Sequence, residues 1–421
     1  MNKIKGIILA AGKSSRMYPL SNRVHKSLIF LMGKPILFYT VEALRNAGIK
    51  DLVIVINPKS LIDKYFGNGK KFGVNIQYVI QEKPEGAGKA VLLAEKYIRG
   101  DFLLLNASHV DVSGFIKDLV QAKSADKKAV LLVKKRNDTW NQGVLELRNK
   151  KVNGIVEKPK KGEEPSNLCV VGIYLFQKDF LETIKQTPKE HYQLEKAISK
   201  YAKENNIQVV ETKKDTVTLK YPWDILDVKN YLLKKIGKSI GKKAKVAKSA
   251  EIIGDVIVED GAKIMEGARI KGPCYVGKNA VIGNNALVRN GVDVEENCVI
   301  GANMEVKNSL IMKNTTTHSG FIGDSVIGEN CKIAAQFCTA NAKFDRKNVR
   351  AIIKNELIET DHKYLGVMVG RDTKIGIKSS TMPGVIIGRG VTIGPSTVVM
   401  HNVLDNTKYY TKFQEIVNEK L

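Results

Sequence analysis

The stretch Val276–Val294, which reads VGKNAVIGNNALVRNGVDV, decides the fold of the second half of this 421-residue chain. An aliphatic residue occupies every sixth position, at Val276, Ile282, Val288 and Val294, and glycine or asparagine recurs between them. An α-helix repeats at about 3.6 residues and a β-strand at two, so neither element alone produces this period. A six-residue repeat predicts a parallel β-helix in which each coil contains three short strands.

The six-residue spacing continues on both sides of this stretch. One aliphatic side chain per repeat is expected to point inward and to stack on the coil above, which makes a continuous core. The spacing is lost over residues 312–368, where we predict a loop, and residues 406–421 are predicted to form a short tail helix. The further positions in step are Ile240, Val246, Ile252, Val258, Ile264, Ile270, Ile300 and Val306, and the spacing returns at Val369, Ile375, Thr381, Ile387, Ile393 and Val399.

Residues 1–235 follow a different pattern, in which short β-rich runs alternate with amphipathic stretches such as 35–47. This alternation predicts an open α/β sheet with helices on both faces, whose ligands bind beyond the carboxyl ends of the strands. The predicted domains are therefore an α/β domain at 1–235, a β-helix at 236–405 and the tail helix at 406–421. The predicted strands are Ile4–Leu9, Asp51–Ile56, Asn75–Ile80, Phe102–Asn106, Ala129–Val133 and Val170–Phe176.

The composition is that of a soluble globular protein, with 43% apolar and 26% charged residues and no apolar run long enough to span a membrane. The net charge of +25 comes mainly from lysine, whereas proteins that read nucleic acid rely on arginine. Three explanations of the lysine excess stay open: solubility, non-specific binding of nucleic acids or membrane surfaces, and the handling of small anions.

The five cysteines contain no CxxC pair and the N-terminus lacks a signal-peptide pattern, so we expect a reducing cytoplasm and no structural zinc.

The segment Leu9–Leu20, LAAGKSSRMYPL, directly follows the first predicted strand. Small residues at this place let backbone N–H groups surround a phosphate, and Arg16 adds a forked donor. Lys26 follows ten residues later. An ordinary tight turn remains the alternative interpretation of this loop.

Two further loops carry candidate binding residues. The loop at 81–88 joins a strand to a helix and can present Gln81 and a glycine backbone to a nucleobase. The run 154–159 ends a strand with the acid–base pair Glu157 and Lys158, and Gly143 opens the preceding strand. A plain turn or a surface ion pair is the alternative for each.

Four motifs together resemble one family: LAAGKSSRM with Lys26, the QxxxxGAG loop, VEKP, and YPWDILDV at 221–228. The chain resembles the sugar-1-phosphate nucleotidylyltransferases that carry a left-handed β-helix, particularly the archaeal type of bifunctional uridylyltransferase/acetyltransferase. The resemblance implies a Rossmann-like nucleotidyltransferase domain, then a left-handed parallel β-helix of hexapeptide repeats that forms a homotrimer.

The resemblance also implies the chemistry and the residues. A hexose-1-phosphate oxygen attacks the α-phosphate of a nucleoside triphosphate, and pyrophosphate leaves. By motif match, Arg16, Lys26 and Lys158 are the catalytic cations, Ala11, Gly12, Gln81 and Gly86 bind the nucleotide, and Gly143 and Glu157 line the sugar-phosphate side.

The differences from the family pattern lie mainly at the positions where the family binds a metal ion. Ser108 and Thr218 stand where the family has the two aspartates that bind Mg²⁺, and Asp111 or Asp224 are the candidate substitutes. Because Mg²⁺ is held by one or two carboxylates plus phosphates, its use here is in question. Two interpretations stay open: an active transferase with a rearranged metal site, or a weakened paralogue that binds a nucleotide or sugar nucleotide without turnover.

The β-helix of bifunctional relatives carries an acetyl-CoA-dependent acetyltransferase. His318 matches its general base, Asn341 and Lys347 match positioning residues, and Phe321 stands where tyrosine is usual. The alternative is that His318 is a residual loop residue in a trimerisation domain.

The expected partners are a nucleoside triphosphate, a hexose-1-phosphate and acetyl-CoA as a co-substrate, without a specific nucleic acid or a membrane. A purely structural β-helix protein is a third, weaker hypothesis, because Arg16, Lys26 and Lys158 remain.

Overall fold

This computed structural model describes residues 4–21, 25–124, 126–149 and 151–414. The chain divides into two compact units. The first unit contains Met1–Lys13, Arg23–Ile29 and Pro35–Thr218, and the second contains Ser14–Asn22, Phe30–Lys34 and Leu219–Leu421. No helix within the described ranges is both long and apolar enough to cross a bilayer.

The first unit is built on a nine-stranded sheet. The strands, numbered along the chain, are β1 (Lys5–Ala10), β2 (Phe30–Leu31), β3 (Lys34–Pro35), β4 (Asp51–Ile56), β5 (Asn75–Ile80), β6 (Phe102–Asn106), β7 (Ala129–Lys135), β8 (Gly143–Arg148), β9 (Lys151–Glu157), β10 (Leu168–Phe176) and β11 (Ile207–Glu211). Seven strands of the sheet run in the order β11-β7-β10-β6-β1-β4-β5, and β8 and β9 extend from β10. The short pair β2 and β3 lies outside this sheet, and Phe30–Lys34 belongs to the second unit.

Helices cover both faces of this sheet, as predicted. The amphipathic stretch at 35–47 forms α1, which begins after Pro35, and Gly48 follows its end with a positive φ of 82°. Of the seven α-helices that the described residues form, the first six belong to the first unit and the last belongs to the second. They are α1 (Ile36–Asn46), α2 (Ile62–Phe66), α3 (Ala87–Leu93), α4 (Ile116–Ala122), α5 (Phe180–Gln186), α6 (Gln193–Glu204) and α7 (Asp224–Leu233).

The sheet brings the predicted loops to one edge. Strands β1, β4, β5 and β6 are parallel, so their carboxyl ends point the same way. Leu9 pairs with Asn106, which places the ends of β1 and β6 side by side. Because β10 is antiparallel to β6, its beginning lies at this same edge, with Ile173 opposite Leu105. We call this the carboxyl edge.

The second unit contains the predicted left-handed parallel β-helix. Its strands form three parallel sheets, and each regular coil takes 18 residues, as in the pairing of Val258 with Val276. The aliphatic residues at the six-residue positions are buried from Val258 to Val399 and belong to one core cluster, whereas Ile240 and Val246 in the first coil are exposed. The period read from the sequence is therefore confirmed as the repeat of this structure.

The three sheets can be named by their members. Sheet I contains Ser239–Ile240, Val256–Val258, Cys274–Val276, Val292–Val294, Leu310–Ile311, Val326–Ile327, Met368–Val369 and Ile386–Ile387. Sheet II contains Lys245–Val246, Lys263–Ile264, Val281–Ile282, Val299–Ile300, Thr316–Thr317, Lys332–Ile333, Lys374–Ile375, Thr392–Ile393 and Lys408–Tyr409. Sheet III contains Glu251–Ile253, Arg269–Lys271, Leu287–Arg289, Met304–Lys307, Gly320–Gly323, Phe337–Thr339, Ser380–Thr381 and Val398–Val399.

The predicted loop over 312–368 is wrong in its first half. The stack continues through Thr317, Ile322, Ile327 and Ile333, but corners that are one residue shorter shift the spacing from six to five. The excursion from the stack begins only after Thr339 and contains one antiparallel hairpin, Arg350–Ile353 with Glu356–Glu359.

The predicted tail helix is wrong over 406–414, and residues 415–421 lie outside the described residues. Lys408–Tyr409 forms a strand of sheet II, where Ile393 pairs with Tyr409. Tyr409 packs against the β-helix core, so its burial outweighs the helical tendency of the following residues.

The helix α7 lies in the second unit although the predicted α/β domain extends to residue 235. Its Lys229 is fully buried and donates hydrogen bonds to the carbonyl of Gly291 and to Oδ1 of Asn308. These contacts fix α7 against the β-helix coils. The domain boundary at 235 stays a prediction, while the compact units assign 219–235 to the β-helix side.

Candidate functional site

The predicted phosphate loop begins as β1 ends at Ala10. Gly12 is exposed, and a Cβ built on it would meet no atom of the described chain within 4 Å. The backbone at Gly12 is therefore accessible to a ligand without a side chain in the way. The boundary between the two compact units passes between Lys13 and Ser14, so the exposed Arg16 belongs to the second unit.

Lys26 begins a short 3₁₀ turn at Lys26–Leu28, in the first unit. His25 fixes the start of this turn, because its Nδ1 accepts a hydrogen bond from the backbone N–H of Ser27 at 3.3 Å and lies 2.7 Å from the hydroxyl of that residue. Burial, aided by the charge of Lys26, lowers the pKa of His25 to about 3, so the ring is neutral at pH 7. His25 thus caps the turn in which Lys26 is the first residue.

The predicted base-binding loop follows β5. Gln81 is buried, and its Nε2 donates a hydrogen bond to the carbonyl of Gly86 at 3.2 Å, so the two predicted nucleotide residues meet. Gly86 has a φ of 97° and precedes α3, and a Cβ there would lie 3.1 Å from the carbonyl oxygen of His191. Only glycine suits this backbone conformation and this close approach.

The predicted sugar-phosphate residues also come together. Gly143 of β8 pairs with Glu157 of β9. A Cβ on Gly143 would lie 2.7 Å from Oε2 of Glu157 and 2.8 Å from a methyl carbon of Val170. The missing side chain at Gly143 is therefore what allows the carboxylate to sit beside the beginning of β10.

Lys158 directly follows Glu157 and has a left-handed backbone, with a φ of 50°. Its side chain is exposed, and its Nζ lies 5.9 Å from the ring centroid of Tyr192. A left-handed residue that is not glycine costs about 1 kcal/mol or more, and such positions cluster at functional sites. The conformation turns the chain after β9 and directs the Lys158 ammonium toward Tyr192.

The turn after β6 holds the positions that were compared with the family's metal ligands. Ser108 is buried, and Nδ1 of His109 lies 3.2 Å from Oδ1 of Asp111. The other oxygen of Asp111 accepts a hydrogen bond from the backbone N–H of Val217 at 3.1 Å. This bond brings the chain just before Thr218 to the turn that contains Ser108.

The beginning of β10 faces the same turn. Gly172 has a φ of 85°, and a Cβ there would lie 3.5 Å from Nε2 of His109 and 3.7 Å from Nδ2 of Asn106. The pairing of β10 with β7 shifts register between Val170 and Tyr174, which marks a β-bulge at this edge. Bulges of this kind redirect side chains next to active sites.

The predicted acetyltransferase residues lie in the second unit. His318 and Lys347 are exposed, whereas Asn341 is held by Asp324, whose Oδ2 accepts its Nδ2 at 2.5 Å. Asn341 and Phe321 both lie beside Gly323, where a Cβ would lie 2.8 Å from Nδ2 of Asn341 and 2.5 Å from a ring carbon of Phe321. The structure therefore places Asn341 and Phe321 around Gly323 and leaves the side chains of His318 and Lys347 exposed to solvent.

Comparisons with known proteins show the family of this chain. Residues 5–230 match the nucleotidyl transferase family, and residues 270–404 match the GMPPB C-terminal domain. The chain belongs to the nucleotidyl transferase family. It is 40% identical to the bifunctional protein GlmU of Methanococcus maripaludis, across 98% of this chain and 99% of that protein.

Two further relatives span nearly the whole chain. The bifunctional protein GlmU of Methanocaldococcus jannaschii is 37% identical, across 99% of both chains. A bifunctional sugar-1-phosphate nucleotidylyltransferase/acetyltransferase of Sulfurisphaera tokodaii is 32% identical, across 95% of this chain and 98% of that protein. The chain therefore has the full two-part architecture of these nucleotidyl transferases.

The residues of this nucleotidyl transferase do not fit a metal ion held by carboxylates. Asp111 is fully buried and both of its oxygens are engaged within the protein. Asp224, in the second unit, accepts the backbone N–H groups of Lys220 and Tyr221 at 2.6 and 2.8 Å. Burial raises the pKa of Asp224 to about 6. No cluster of three acidic, histidine or cysteine side chains suited to a metal occurs among the residues described.

Sequence reasoning missed two neighbours of the sugar-phosphate side. Burial raises the pKa of Glu195, on α6, and the charge of Glu157 raises it further. The neighbouring residue Tyr192 lies below the Lys158 ammonium. Neither residue stands in a recognised motif, and only the packing of α6 against β9 brings them to the site.

In the second unit, sequence reasoning also missed the residues around Asp324. Its Oδ2 accepts a hydrogen bond from Nζ of Lys307 at 3.0 Å, and its Oδ1 accepts one from Nδ2 of Asn308 at 2.8 Å. Lys307 lies 4.8 Å from the ring centroid of Tyr364. The coil spacing places these side chains in register, which a linear motif does not reveal.

Proposed function

We propose that this protein transfers a nucleoside monophosphate from a nucleoside triphosphate to a hexose-1-phosphate. The carboxyl edge carries the proposal, because there the open backbone of Gly12 begins the phosphate loop, Gln81 meets Gly86, and Gly143 meets Glu157. The archaeal relatives are bifunctional GlmU proteins and a sugar-1-phosphate nucleotidylyltransferase/acetyltransferase. The same residue pattern supports the same chemistry in this chain.

The reaction needs positioning and charge neutralisation more than covalent catalysis. A phosphate oxygen of the sugar phosphate attacks the α-phosphorus, the bond from that phosphorus to the bridging oxygen breaks, and pyrophosphate leaves. Arg16 and Lys26 would neutralise the triphosphate, and Lys158 would neutralise the sugar phosphate. Gln81 and the backbone at Gly86 would contact the base, while Glu157 would accept sugar hydroxyl groups.

A weakened paralogue that only binds a sugar nucleotide is the second candidate. The observation that favours it is the pair Ser108 and Thr218, because neither side chain carries the charge that a divalent cation prefers. Related nucleotidyl transferases use Mg²⁺, but no step of the proposal depends on a metal held by this chain.

One assay distinguishes these two candidates. Pyrophosphate release is measured for every pair of four nucleoside triphosphates and several hexose-1-phosphates, with Mg²⁺ and with a chelator. We expect release with at least one pair, and Arg16→Ala should lower its kcat/KM about 100-fold or more. Release from no pair, together with nucleotide binding that is equally tight in chelator, would establish the binding module instead.

Acetyl transfer on the β-helix is proposed as a second activity. His318 would take a proton from the amine of an amino-sugar-1-phosphate as the amine nitrogen attacks the thioester carbonyl of acetyl-CoA. The carbon–sulfur bond would break, and CoA would leave as a thiol. Asn341 and Lys347 would position the sugar phosphate. Thiol release with glucosamine-1-phosphate or galactosamine-1-phosphate tests this, and a rate that is unchanged in His318→Ala would disprove the role of the histidine.

A homotrimer in the cytoplasm is proposed from the family resemblance. Closed cyclic symmetry is a common arrangement for such assemblies. Several large apolar side chains of the second unit are exposed in the single chain, including Phe344, Met400 and Leu404. Light scattering at micromolar concentration should give three times the chain mass of 46.6 kDa, and a monomer would contradict the proposal.

A further inference from the structure

The turn that carries Arg16 is attached to the last coils of the β-helix. We call Ser14–Ser21 the Arg16 turn. The hydroxyl of Tyr18 donates a hydrogen bond to Oδ1 of Asp405 at 3.0 Å. Asp405 is itself fixed by Arg389, whose backbone N–H and Nη2 donate to it at 2.7 and 2.6 Å. Two residues after Arg16, the chain is therefore tied to a carboxylate whose own position is set by an ion pair.

A second contact lies on the other side of Arg16. Nζ of Lys354 donates a hydrogen bond to the hydroxyl of Ser15 at 2.8 Å. Lys354 and Asn355 form the two-residue tip of the hairpin, and both have positive φ angles, of 52° and 65°. Such a tip is a tight turn that holds its strands in one register.

The hairpin has a fixed place on the β-helix. Nδ2 of Asn402, near the end of the stack, donates a hydrogen bond to the carbonyl of Ile352 at 2.9 Å. A Cβ on Gly384 would lie 2.7 Å from the carbonyl oxygen of Arg350, so the stack and the hairpin approach closely there too. Lys354 is therefore delivered to Ser15 by an anchored element.

The Arg16 turn is also closed by its own bonds. Met17 is fully buried and its N–H donates to the carbonyl of Ser14, which also accepts the hydroxyl of Ser21, both at 2.9 Å. Ser14 has a left-handed backbone, with a φ of 53°. The Arg16 side chain is exposed between two anchored neighbours, Ser15 and Tyr18.

We infer that the β-helix positions the phosphate-binding arginine: Asp405 and Lys354 are positioning residues that act through Tyr18 and Ser15 on Arg16. The ligand is the anionic phosphate chain of a nucleotide, so the inference rests on the proposed nucleotidyl transfer. Holding Arg16 before the nucleotide arrives lowers the ordering cost of binding. The ammonium of Lys354 adds positive charge one residue from Arg16, which favours the same anion.

Hydrogen exchange of the Arg16 turn tests the positioning itself, without any nucleotide. We compare full-length Lys354→Ala, Asp405→Asn and Tyr18→Phe with the unaltered protein, and Lys278→Ala serves as a matched exposed lysine of the β-helix. The amides of Met17 and Leu20 should exchange faster in the first three variants only. Unchanged protection in Lys354→Ala and Asp405→Asn would overturn the inference.

Nucleotide affinity tests the consequence. The dissociation constant for a nucleoside triphosphate should rise about two- to fivefold in Lys354→Ala and in Tyr18→Phe, as expected for one partly exposed hydrogen bond. Lys354→Arg should keep the affinity, and KM for the sugar phosphate should change less than KM for the nucleotide. Equal changes in both constants, or no change in either, would contradict the inference.

The two tests keep the two proposals apart. If the unaltered protein binds no nucleoside triphosphate, the proposed transfer fails, while the exchange measurement still decides whether the β-helix positions the turn. The effects of Tyr18→Phe and Asp405→Asn should also be non-additive, because the first removes the donor of the Tyr18–Asp405 hydrogen bond and the second weakens its charged acceptor. Additive effects on exchange would show that these residues act separately and would contradict the inference.

Discussion

The carboxyl edge of the first unit and the Asn341 region of the second carry two candidate sites that have changed in opposite ways. At the carboxyl edge, Ser108 and Thr218 remove negative charge, while the glycines and the basic residues remain. On the β-helix, phenylalanine occupies position 321, where the family resemblance leads us to expect tyrosine, and its ring and the Asn341 amide both lie beside Gly323. The first difference concerns the positions that were compared with the family's metal ligands, whereas the second concerns the packing of side chains on the β-helix.

The difference shows how each fold tolerates change. The loops of the carboxyl edge are irregular, so a lost carboxylate leaves the strands intact and other residues, such as Asp111, hold the turn. A β-helix repeats its coils, so a residue on one coil touches its equivalent on the next, as Phe321 does Cys338 through their pairing. A substitution on the β-helix therefore changes the packing between neighbouring coils, even where it leaves the charge unchanged.

The largest expected effects test whether the two sites are independent. Arg16→Ala should lower kcat/KM for nucleotidyl transfer about 100-fold or more, because it removes a cation from the phosphate chain. It should leave acetyl transfer within about twofold, and His318→Ala should show the reverse pattern. Both activities are measured on each variant. Loss of both activities in either folded variant would break the distinction between the sites.

The next prediction concerns the stability of the second unit. Lys229→Met should lower the free energy of unfolding by about 3 kcal/mol, because it leaves the Gly291 carbonyl and the buried Asp293 without their cation. Burial lowers the pKa of Lys229 to about 8, and the nearby acidic groups oppose that shift. Denaturant unfolding monitors the loss, with the exposed Lys238→Met as control. A loss below 1 kcal/mol would show that α7 is held by apolar packing alone.

The third prediction concerns the negative charge that is missing at Ser108 and Thr218. Ser108→Asp combined with Thr218→Asp should raise kcat with Mg²⁺ by about tenfold or more, since a divalent cation can contribute several kcal/mol to phosphoryl transfer. The uncharged pair Ser108→Asn and Thr218→Asn is the matched control. Mg²⁺ should also raise the melting temperature of the acidic variant only. Equal stimulation of both pairs would show that metal binding does not depend on these positions.

The smallest expected effect is a pH dependence of the second unit. Burial by itself lowers the pKa of His362, but hydrogen bonding and attraction to Asp227 outweigh it and raise the pKa to about 9. Because the folded pKa is higher than the unfolded value of 6.5, the stabilisation is complete below pH 6.5 and is lost as pH rises toward 9. The half-exposed pair is worth about 1 kcal/mol.

Melting temperatures between pH 6 and pH 9.5 measure this effect. The decline with rising pH should be shallower in His362→Gln, which keeps a polar side chain without the titration. An identical decline in both proteins would assign the pH dependence to other groups and remove the His362–Asp227 pair from the contacts that hold α7.

The sequence by itself determined much of the fold. Strands β4, β5 and β6 have the predicted bounds, because each is a short apolar run between turn residues. The six-residue period determined the β-helix, because each coil buries one aliphatic residue per strand. The sequence also predicts Gln81, Gly86, Gly143 and Glu157 as candidate binding residues, whereas the hydrogen bond and the strand pairing that join them come from the structure.

Only the tertiary structure decided the remainder. Residues 312–339 stay in the stack although some inward-facing residues are five apart instead of six, because these residues can keep their place when a corner is one residue shorter. Tyr18 and Asp405 are 387 residues apart, so no local pattern predicts their hydrogen bond. Strand formation depends on neighbouring residues, so the local sequence determines which strands form. The coil that lies beside the Arg16 turn is set by the folding of the whole chain, so only the tertiary structure shows which residues hold this turn.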